Sequence, residues 1–153
     1  MLVPQAVWLF GSLVGLVVWS AFWGAKLERG LSDRLVAAAR GSSGRAAAVA
    51  FGLQASALAG FLLLWLIGAA IGYALDDPRL AAITVVPAML LYGPVSMTAL
   101  PTQFTGFSGA RRSLRTSGAS RQVARSAAWA GGFVALIGWL CIFVALQTAS
   151  ADW

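Results

Sequence analysis

Few residues of this chain have the types and spacing that catalysis requires. Asp76 and Asp77 are adjacent carboxylates, and positioned carboxylates can act as general acids or bases. They come directly before Pro78, however, and a run of Asp and Pro is typical of a turn between two elements. The sequence therefore predicts a turn at this position rather than a catalytic site.

The chain contains no histidine, and its single cysteine, Cys141, lies inside an apolar block. Histidine is the commonest metal ligand and general base, and it is the usual axial ligand of haem. A lone cysteine cannot form an intrachain disulfide, and we interpret Cys141 as a small packing residue. No Ser/His/Asp set, zinc-ligand spacing or phosphate-binding loop is present. We expect a protein that is not an enzyme, with no catalytic residues, metal or cofactor.

Basic residues are concentrated in two segments of the chain. Residues 26–45 contain one lysine and four arginines, and residues 108–125 contain five arginines and no acidic residue. A basic residue near an anionic lipid surface contributes about 1 kcal/mol of attraction. Topology alone is the plainer explanation of these charges, and nucleic-acid binding is not expected because no folded basic domain is evident. The arginines expected to contact anionic lipid headgroups or an acidic partner are Arg34, Arg40, Arg45, Arg111, Arg112, Arg115, Arg121 and Arg125.

The two basic segments are separated and flanked by long apolar blocks, which must set their positions. Of the 153 residues, 59% are hydrophobic and 10% are charged, whereas soluble domains carry about 25% charged residues. A bilayer core about 30 Å thick needs about 20 apolar residues per helix, and four blocks meet that length. We predict an all-α membrane protein, a four-transmembrane-helix bundle forming one domain over residues 1–153. The predicted spans are residues 3–25, 46–75, 80–107 and 126–150.

The distribution of charge predicts how these helices are oriented. Ten of the eleven basic residues lie in the two basic segments, and Arg79 lies on the opposite side beside Asp76 and Asp77. Because basic loops remain in the cytoplasm, we expect two hairpins with both termini outside (N-out/C-out). No cleavable signal peptide pattern precedes the first span. Frequent alanine and arginine favour a GC-rich bacterium, so the expected location is the bacterial cytoplasmic (inner) membrane, as a multi-pass protein.

Small residues on the first two predicted helices could let another helix approach closely. On helix two they recur at steps of four, interrupted by Leu64. Close backbone packing drives helix association in lipid, so we expect these residues to dock on other integral membrane subunits. Packing within the chain's own bundle would explain the same pattern. The predicted docking residues are Gly52, Ser56, Gly60, Gly68 and Gly72 on helix two, with Gly11 and Gly15 on helix one.

Three prolines at steps of seven, Pro87, Pro94 and Pro101, are predicted to bend the third helix. Each removes a backbone hydrogen bond and clashes with the carbonyl four residues earlier. The freed carbonyls need other donors in lipid, and neighbouring serine and threonine hydroxyls are candidates. The kinked helix could line a groove, or it could be bent only to fit its neighbours. Gln54 is the most polar deep side chain, and we expect it to bond to a neighbouring helix.

No Asp, Glu, Lys, Arg or His lies in the middle of any predicted span, although such residues mark most ion and proton pathways. The leading hypothesis is a non-catalytic accessory or structural subunit of a larger multi-subunit membrane complex, such as a transporter or respiratory assembly. The alternative is a small homo-oligomeric carrier, channel or lipid-groove transporter, lined by the proline-kinked third helix. The expected partners are the membrane, other integral subunits and anionic lipid headgroups, and not nucleic acid.

Overall fold

The computed structural model describes residues 5–77, 79–99 and 108–151, and over these residues the predicted all-helical fold is confirmed. Three helices are long and apolar enough to cross a membrane, over Phe10–Glu28, Ser43–Ala74 and Arg121–Thr148. This part of the chain therefore has the length and composition of a helical membrane protein. Its five helices are α1 (Gln5–Ala39), α2 (Ser43–Ala74), α3 (Arg79–Met97), α4 (Ser108–Thr116) and α5 (Arg121–Ala151).

The first helix continues well beyond the predicted first span. The span is predicted to end near Ala25, but α1 runs without a break to Ala39. Near that boundary the Lys26 ammonium lies 4.4 Å from the centroid of the Phe22 ring and 4.6 Å from that of the Trp23 ring. Both are cation–π contacts. The helix ends where Arg40 and Gly41 take φ values of 48° and 76°, a left-handed backbone that glycine adopts readily. The first basic segment is therefore mostly a helical extension of the span.

The predicted turn at Asp76 and Asp77 joins α2 to α3. The first of these helices ends at Ala74 and the second begins at Arg79. The Asp77 N–H donates a hydrogen bond to the Gly72 carbonyl at 3.0 Å, which satisfies one of the last carbonyls of α2. Asp76 has a φ of 52°, a conformation that aspartate tolerates better than most residues. The two helices pack extensively against each other, so they form an antiparallel hairpin.

The third helix ends earlier than predicted. α3 ends at Met97, whereas the third span is predicted to reach Phe107, and residues 100–107 lie outside the described residues together with Pro101. Helices usually end at or before the residue preceding a proline, which is a physical reason for the earlier end. Pro87 and Pro94 both stand inside the helix. The first is exposed and the second is buried.

The helices pack around two clusters of buried side chains. The first cluster joins α1, α2, α3 and α5 and consists of Leu16, Phe61, Val85, Ala88, Met89, Tyr92, Ile142, Ala145 and Leu146. The second joins the end of α1, the start of α2, α4 and the start of α5, and consists of Ala39, Ala46, Ala50, Leu114, Val123, Ala124 and Ala127. The Ser32 and Ser113 hydroxyl oxygens, 3.0 Å apart, also link α1 to α4. The two basic segments therefore surround one folded cluster, and this part of the bundle is called the basic end below.

Candidate functional site

The five arginines of the second basic segment line one groove at the basic end. This arginine groove has a volume of about 940 Å³. Among the residues that the structure describes, no acidic side chain lines the groove, so these residues provide no negative charge to balance the arginines. The lining residues are Arg111, Arg112, Arg115 and Thr116 of α4, with Arg121, Ala124, Arg125 and Trp129 of α5.

The groove exists because α4 is a short amphipathic helix that doubles back onto α5. Leu114 is buried in the basic end, whereas Arg112 and Arg115 are exposed. Gly118 has a φ of 92°, which lets the chain reverse within a few residues. The Ser120 hydroxyl then accepts a hydrogen bond of 3.3 Å from the N–H three residues later, which caps the start of α5. The basic faces of α4 and of the first turns of α5 are thereby brought together.

Arg111 is the least exposed arginine of the groove. Its Nε is buried and has no hydrogen-bond acceptor among the described residues. A buried donor without an acceptor is unfavourable by about 1–3 kcal/mol. Phosphate and carboxylate oxygens match the donor geometry of a guanidinium group. Because five guanidinium groups line it, the groove is suited to an anion supplied from outside the chain.

The three predicted arginines of the first basic segment lie elsewhere. Arg34, Arg40 and Arg45 are exposed, and none of them lines the arginine groove. The eight arginines that the sequence groups together therefore divide into five that converge and three that do not. Trp129 belongs to the groove but is not among the predicted site residues, although its place one helical turn after Arg125 is visible in the sequence.

The small residues of α2 do not share one face of the helix. A helix turns by about 100° per residue, so each step of four residues drifts by about 40°, and a ridge of such steps winds around the helix. Gly68 and Gly72 are buried within the chain's own bundle. A Cβ at Gly68 would collide with the Thr84 side chain of α3. Gly68 therefore serves the packing of α2 on α3, and Gly72 is buried one turn further along.

The other predicted docking residues face away from the bundle. A Cβ at Gly11, Gly15, Gly52 or Gly60 would meet no atom within 4 Å. Ser56 lies between the last two and is exposed, and its hydroxyl donates to a carbonyl of its own helix at 3.0 Å. Gly52, Ser56 and Gly60 together are called the α2 docking face below.

Several glycines outside the predicted ridge make close contacts between helices. Gly24 of α1 lies against the backbone of α3. A Cβ at Gly93 would collide with the Ser20 hydroxyl, and a Cβ at Gly138 would collide with the Tyr92 ring. At these three positions, a neighbouring backbone or side chain leaves no room for a Cβ.

One carbonyl freed by proline has a donor from a neighbouring helix. Pro94 has no N–H to donate to the Leu90 carbonyl, and the indole Nε1 of Trp19 donates to that oxygen at 3.2 Å. The sequence predicts serine and threonine hydroxyls as the donors. In the structure, Ser96 and Thr98 donate instead to other carbonyls of the same segment, both at 2.7 Å. The missing bond of α3 is thus supplied by α1.

Gln54 is buried and bonds to a neighbouring helix, as the sequence predicts. Its Nε2 donates to the Val95 carbonyl at 3.0 Å, whereas its Oε1 has no donor among the described residues. It also lines a cavity of about 40 Å³ between the basic end and the two residues that follow α3, Thr98 and Ala99. This side chain therefore has one satisfied and one unsatisfied polar group.

We expect Gln54→Leu to change the free energy of unfolding by less than about 1 kcal/mol. Hydrogen bonds between membrane helices average about 0.6 kcal/mol, and the substitution removes the unpaired acceptor Oε1 together with the donor Nε2. Unfolding in detergent micelles, followed by circular dichroism, measures this change. A loss above about 3 kcal/mol would mean that Oε1 has a partner in the folded protein.

The fold and the arginine groove are the features from which the class of this protein can be defined. No protein-family model, curated protein or solved structure matches the chain. Among the described residues no group of three or more His, Cys, Asp or Glu side chains could hold a metal ion, and Cys141 is a half-buried free thiol. The class of protein is therefore defined by helices of membrane-spanning length that carry an arginine groove at one end.

Proposed function

We propose that this chain is a non-catalytic subunit of a larger membrane complex, and that it docks through outward faces of α1 and α2. The observation that carries the proposal is a contrast between two groups of helix glycines. One group fills close contacts inside the bundle, and the other faces open space. Glycine within a helix is less favourable than alanine by roughly 0.5–1 kcal/mol, so the outward group is accounted for by a second backbone that approaches it closely. The inward group includes Gly24, Gly68, Gly93 and Gly138, and the outward group in the apolar parts of α1 and α2 is Gly11, Gly15, Gly52 and Gly60. Gly30 and Gly44, in the first basic segment, also face open space.

The low burial of α1 and α2 supports this proposal. In their most apolar windows 17% of the residues are buried inside the chain, compared with 44% in α5. Lipid tails could cover such a surface, but they pack equally well on larger apolar side chains. Small residues are specifically useful where two helix backbones meet. The α2 docking face and the pair Gly11 and Gly15 are therefore the two proposed contacts with other subunits.

The proposed topology has four membrane crossings with both termini outside and both basic segments in the cytoplasm. With 19 residues, α3 is about 28 Å long at 1.5 Å per residue, close to the bilayer core of about 30 Å. The cluster at the basic end brings both basic segments to the same end of the bundle, as the positive-inside rule requires of two cytoplasmic segments. The proposed location is a bacterial inner membrane.

The double variant Gly52→Leu with Gly60→Leu tests the docking face. We expect its association with partner subunits to weaken by about tenfold or more, because overpacking costs about 1–3 kcal/mol and 1.4 kcal/mol is a factor of ten. The measurement is affinity purification from the native host in mild detergent, with the co-purifying proteins quantified against the tagged chain.

The matched control is Ala70→Leu, which adds a leucine at another exposed position of α2, about 15 Å along the axis from Gly60. It should retain the partners of the unsubstituted chain. If the unsubstituted chain purifies without any protein of different sequence, the subunit proposal is wrong. If the double variant keeps all its partners, they dock on another face.

A further inference from the structure

We propose that the arginine groove binds the headgroup of a membrane lipid that carries two phosphate groups. This lipid site lies on α4 and α5, whereas the proposed docking contacts lie on α1 and α2. The lipid proposal can therefore be tested independently of the proposed subunit function. The inference rests on the number of arginines in the groove and on the apolar surface onto which the groove opens.

The number of arginines favours more than one phosphate. Guanidinium groups bind phosphate oxygens through pairs of parallel hydrogen bonds, so two or three of them satisfy one phosphate group. Five converge here, and no carboxylate is among the lining residues that the structure describes. A volume of about 940 Å³ leaves room for a headgroup larger than a single phosphate. Two phosphodiester groups would offset two of the five positive charges, whereas one would offset a single charge.

The apolar surface beside the groove favours a lipid over a soluble anion. Trp129 lines the groove and is 53% exposed, and Phe133, one turn further along α5, is 63% exposed. Leu136 and Leu140 continue the same exposed stripe, at 55% and 62%. Tryptophan is typical of the level at which headgroups meet acyl chains. An acyl chain on this stripe would be continuous with a headgroup in the groove, which a soluble anion could not be.

Arginines outside the groove make it possible to distinguish a headgroup bound in the groove from general attraction to an anionic membrane. Attraction to an anionic surface depends on how many basic residues lie near it, so Arg40 and Arg45 would contribute to it as much as Arg112 and Arg115. A headgroup held in the groove depends only on the arginines that line it. All four of these side chains are exposed, so none of them is needed for the buried core.

The test is native mass spectrometry of the purified full-length chain in detergent, titrated with cardiolipin or with phosphatidylglycerol at equal total phosphate. Cardiolipin carries two phosphates per molecule and phosphatidylglycerol carries one. We expect one cardiolipin per chain to be retained, with an affinity at least about tenfold higher, because charge-assisted hydrogen bonds to the second phosphate contribute more than a factor of ten. Equal affinities for the two lipids would overturn the proposal.

Two double variants that remove the same charge provide the matched comparison. Arg112→Gln with Arg115→Gln should weaken cardiolipin binding by about tenfold or more, whereas Arg40→Gln with Arg45→Gln should weaken it by less than about twofold. Circular dichroism of both variants should match that of the unsubstituted chain. Equal losses in the two variants would show that total charge, and not the groove, holds the lipid.

Competition distinguishes a lipid from other anions. Inorganic pyrophosphate carries two phosphates without an acyl chain. At about tenfold excess it should leave the bound cardiolipin in place, because burial of the acyl chains adds to lipid binding. Displacement by equimolar pyrophosphate would assign the groove to a soluble diphosphate. Displacement by an equimolar single-stranded oligonucleotide would assign it to nucleic acid. Either result would overturn the lipid assignment.

Discussion

Replacing Gly24 with leucine is expected to destabilise the isolated chain by about 3 kcal/mol, at the upper end of the usual range for overpacking. A Cβ at this position would lie 2.9 Å from the Met97 Cβ and 3.1 Å from the Pro94 carbonyl oxygen. A side chain could rotate away from the added atoms, but a backbone carbonyl within a packed helix cannot. The two helices would have to separate, and the contacts around them would be lost. Unfolding in detergent micelles, followed by circular dichroism, measures the change.

Gly15→Leu is the matched control for that prediction. Gly15 lies in the same helix, and a Cβ there would meet no atom within 4 Å. We expect the free energy of unfolding of the isolated chain to change by less than about 0.5 kcal/mol, as for most exposed substitutions. A loss at Gly15 as large as that at Gly24 would contradict the packing of α1 on α3, because helix propensity acts equally on both positions.

The membrane-length helices were predictable because the bilayer imposes a simple length requirement on apolar segments. Their ends were less predictable, since hydropathy does not report helix caps. The second span is predicted to begin near Ala46, but α2 begins at Ser43. Ser42 precedes it with an extended backbone, and its hydroxyl accepts a hydrogen bond of 3.5 Å from the Arg45 N–H. Local cap chemistry therefore adds a polar first turn that a count of apolar residues omits.

The groove was predictable in its residues but not in its shape. The five arginines of the second segment are evident in the sequence, and so is their lack of acidic neighbours. Their convergence depends on α4, a helix of nine residues that the sequence does not predict. Ala110 and Leu114 are its buried hydrophobic residues, and two apolar positions in a polar segment are a weak signal for a helix. Its position is set by tertiary contacts with α1 and α5.

The faces of α2 could have been separated by a stricter test of periodicity. The predicted ridge used steps of four throughout, and such a row drifts by about 40° at each step. The buried positions combine steps of four and seven, which together stay within about a quarter of the helix circumference. The distinction between inward and outward glycines follows from that difference. The buried residues of α2 are Ala46, Ala50, Gln54, Phe61, Gly68 and Gly72.

The hydrogen bond from Trp19 to the Leu90 carbonyl predicts an energetic coupling between two helices. We expect Trp19→Phe to destabilise the chain by about 2 kcal/mol, because it leaves a carbonyl without a donor and the hydrocarbon core has no water to replace it. The same substitution in a chain that also carries Pro94→Ala should cost about 1–2 kcal/mol less. Alanine at position 94 restores the backbone N–H that donates to Leu90 within α3, so the indole is no longer needed.

The double-mutant cycle isolates this coupling from the other effects of each substitution. Trp19 also lies 5.5 Å from Trp23, measured between ring centroids, and the loss of that ring contact is the same with or without proline at position 94. It therefore cancels when the two backgrounds are compared. A coupling of zero would mean that the Leu90 carbonyl draws no net stability from α1. A coupling of about 1–2 kcal/mol would show that α3 keeps its buried proline because α1 supplies the missing donor.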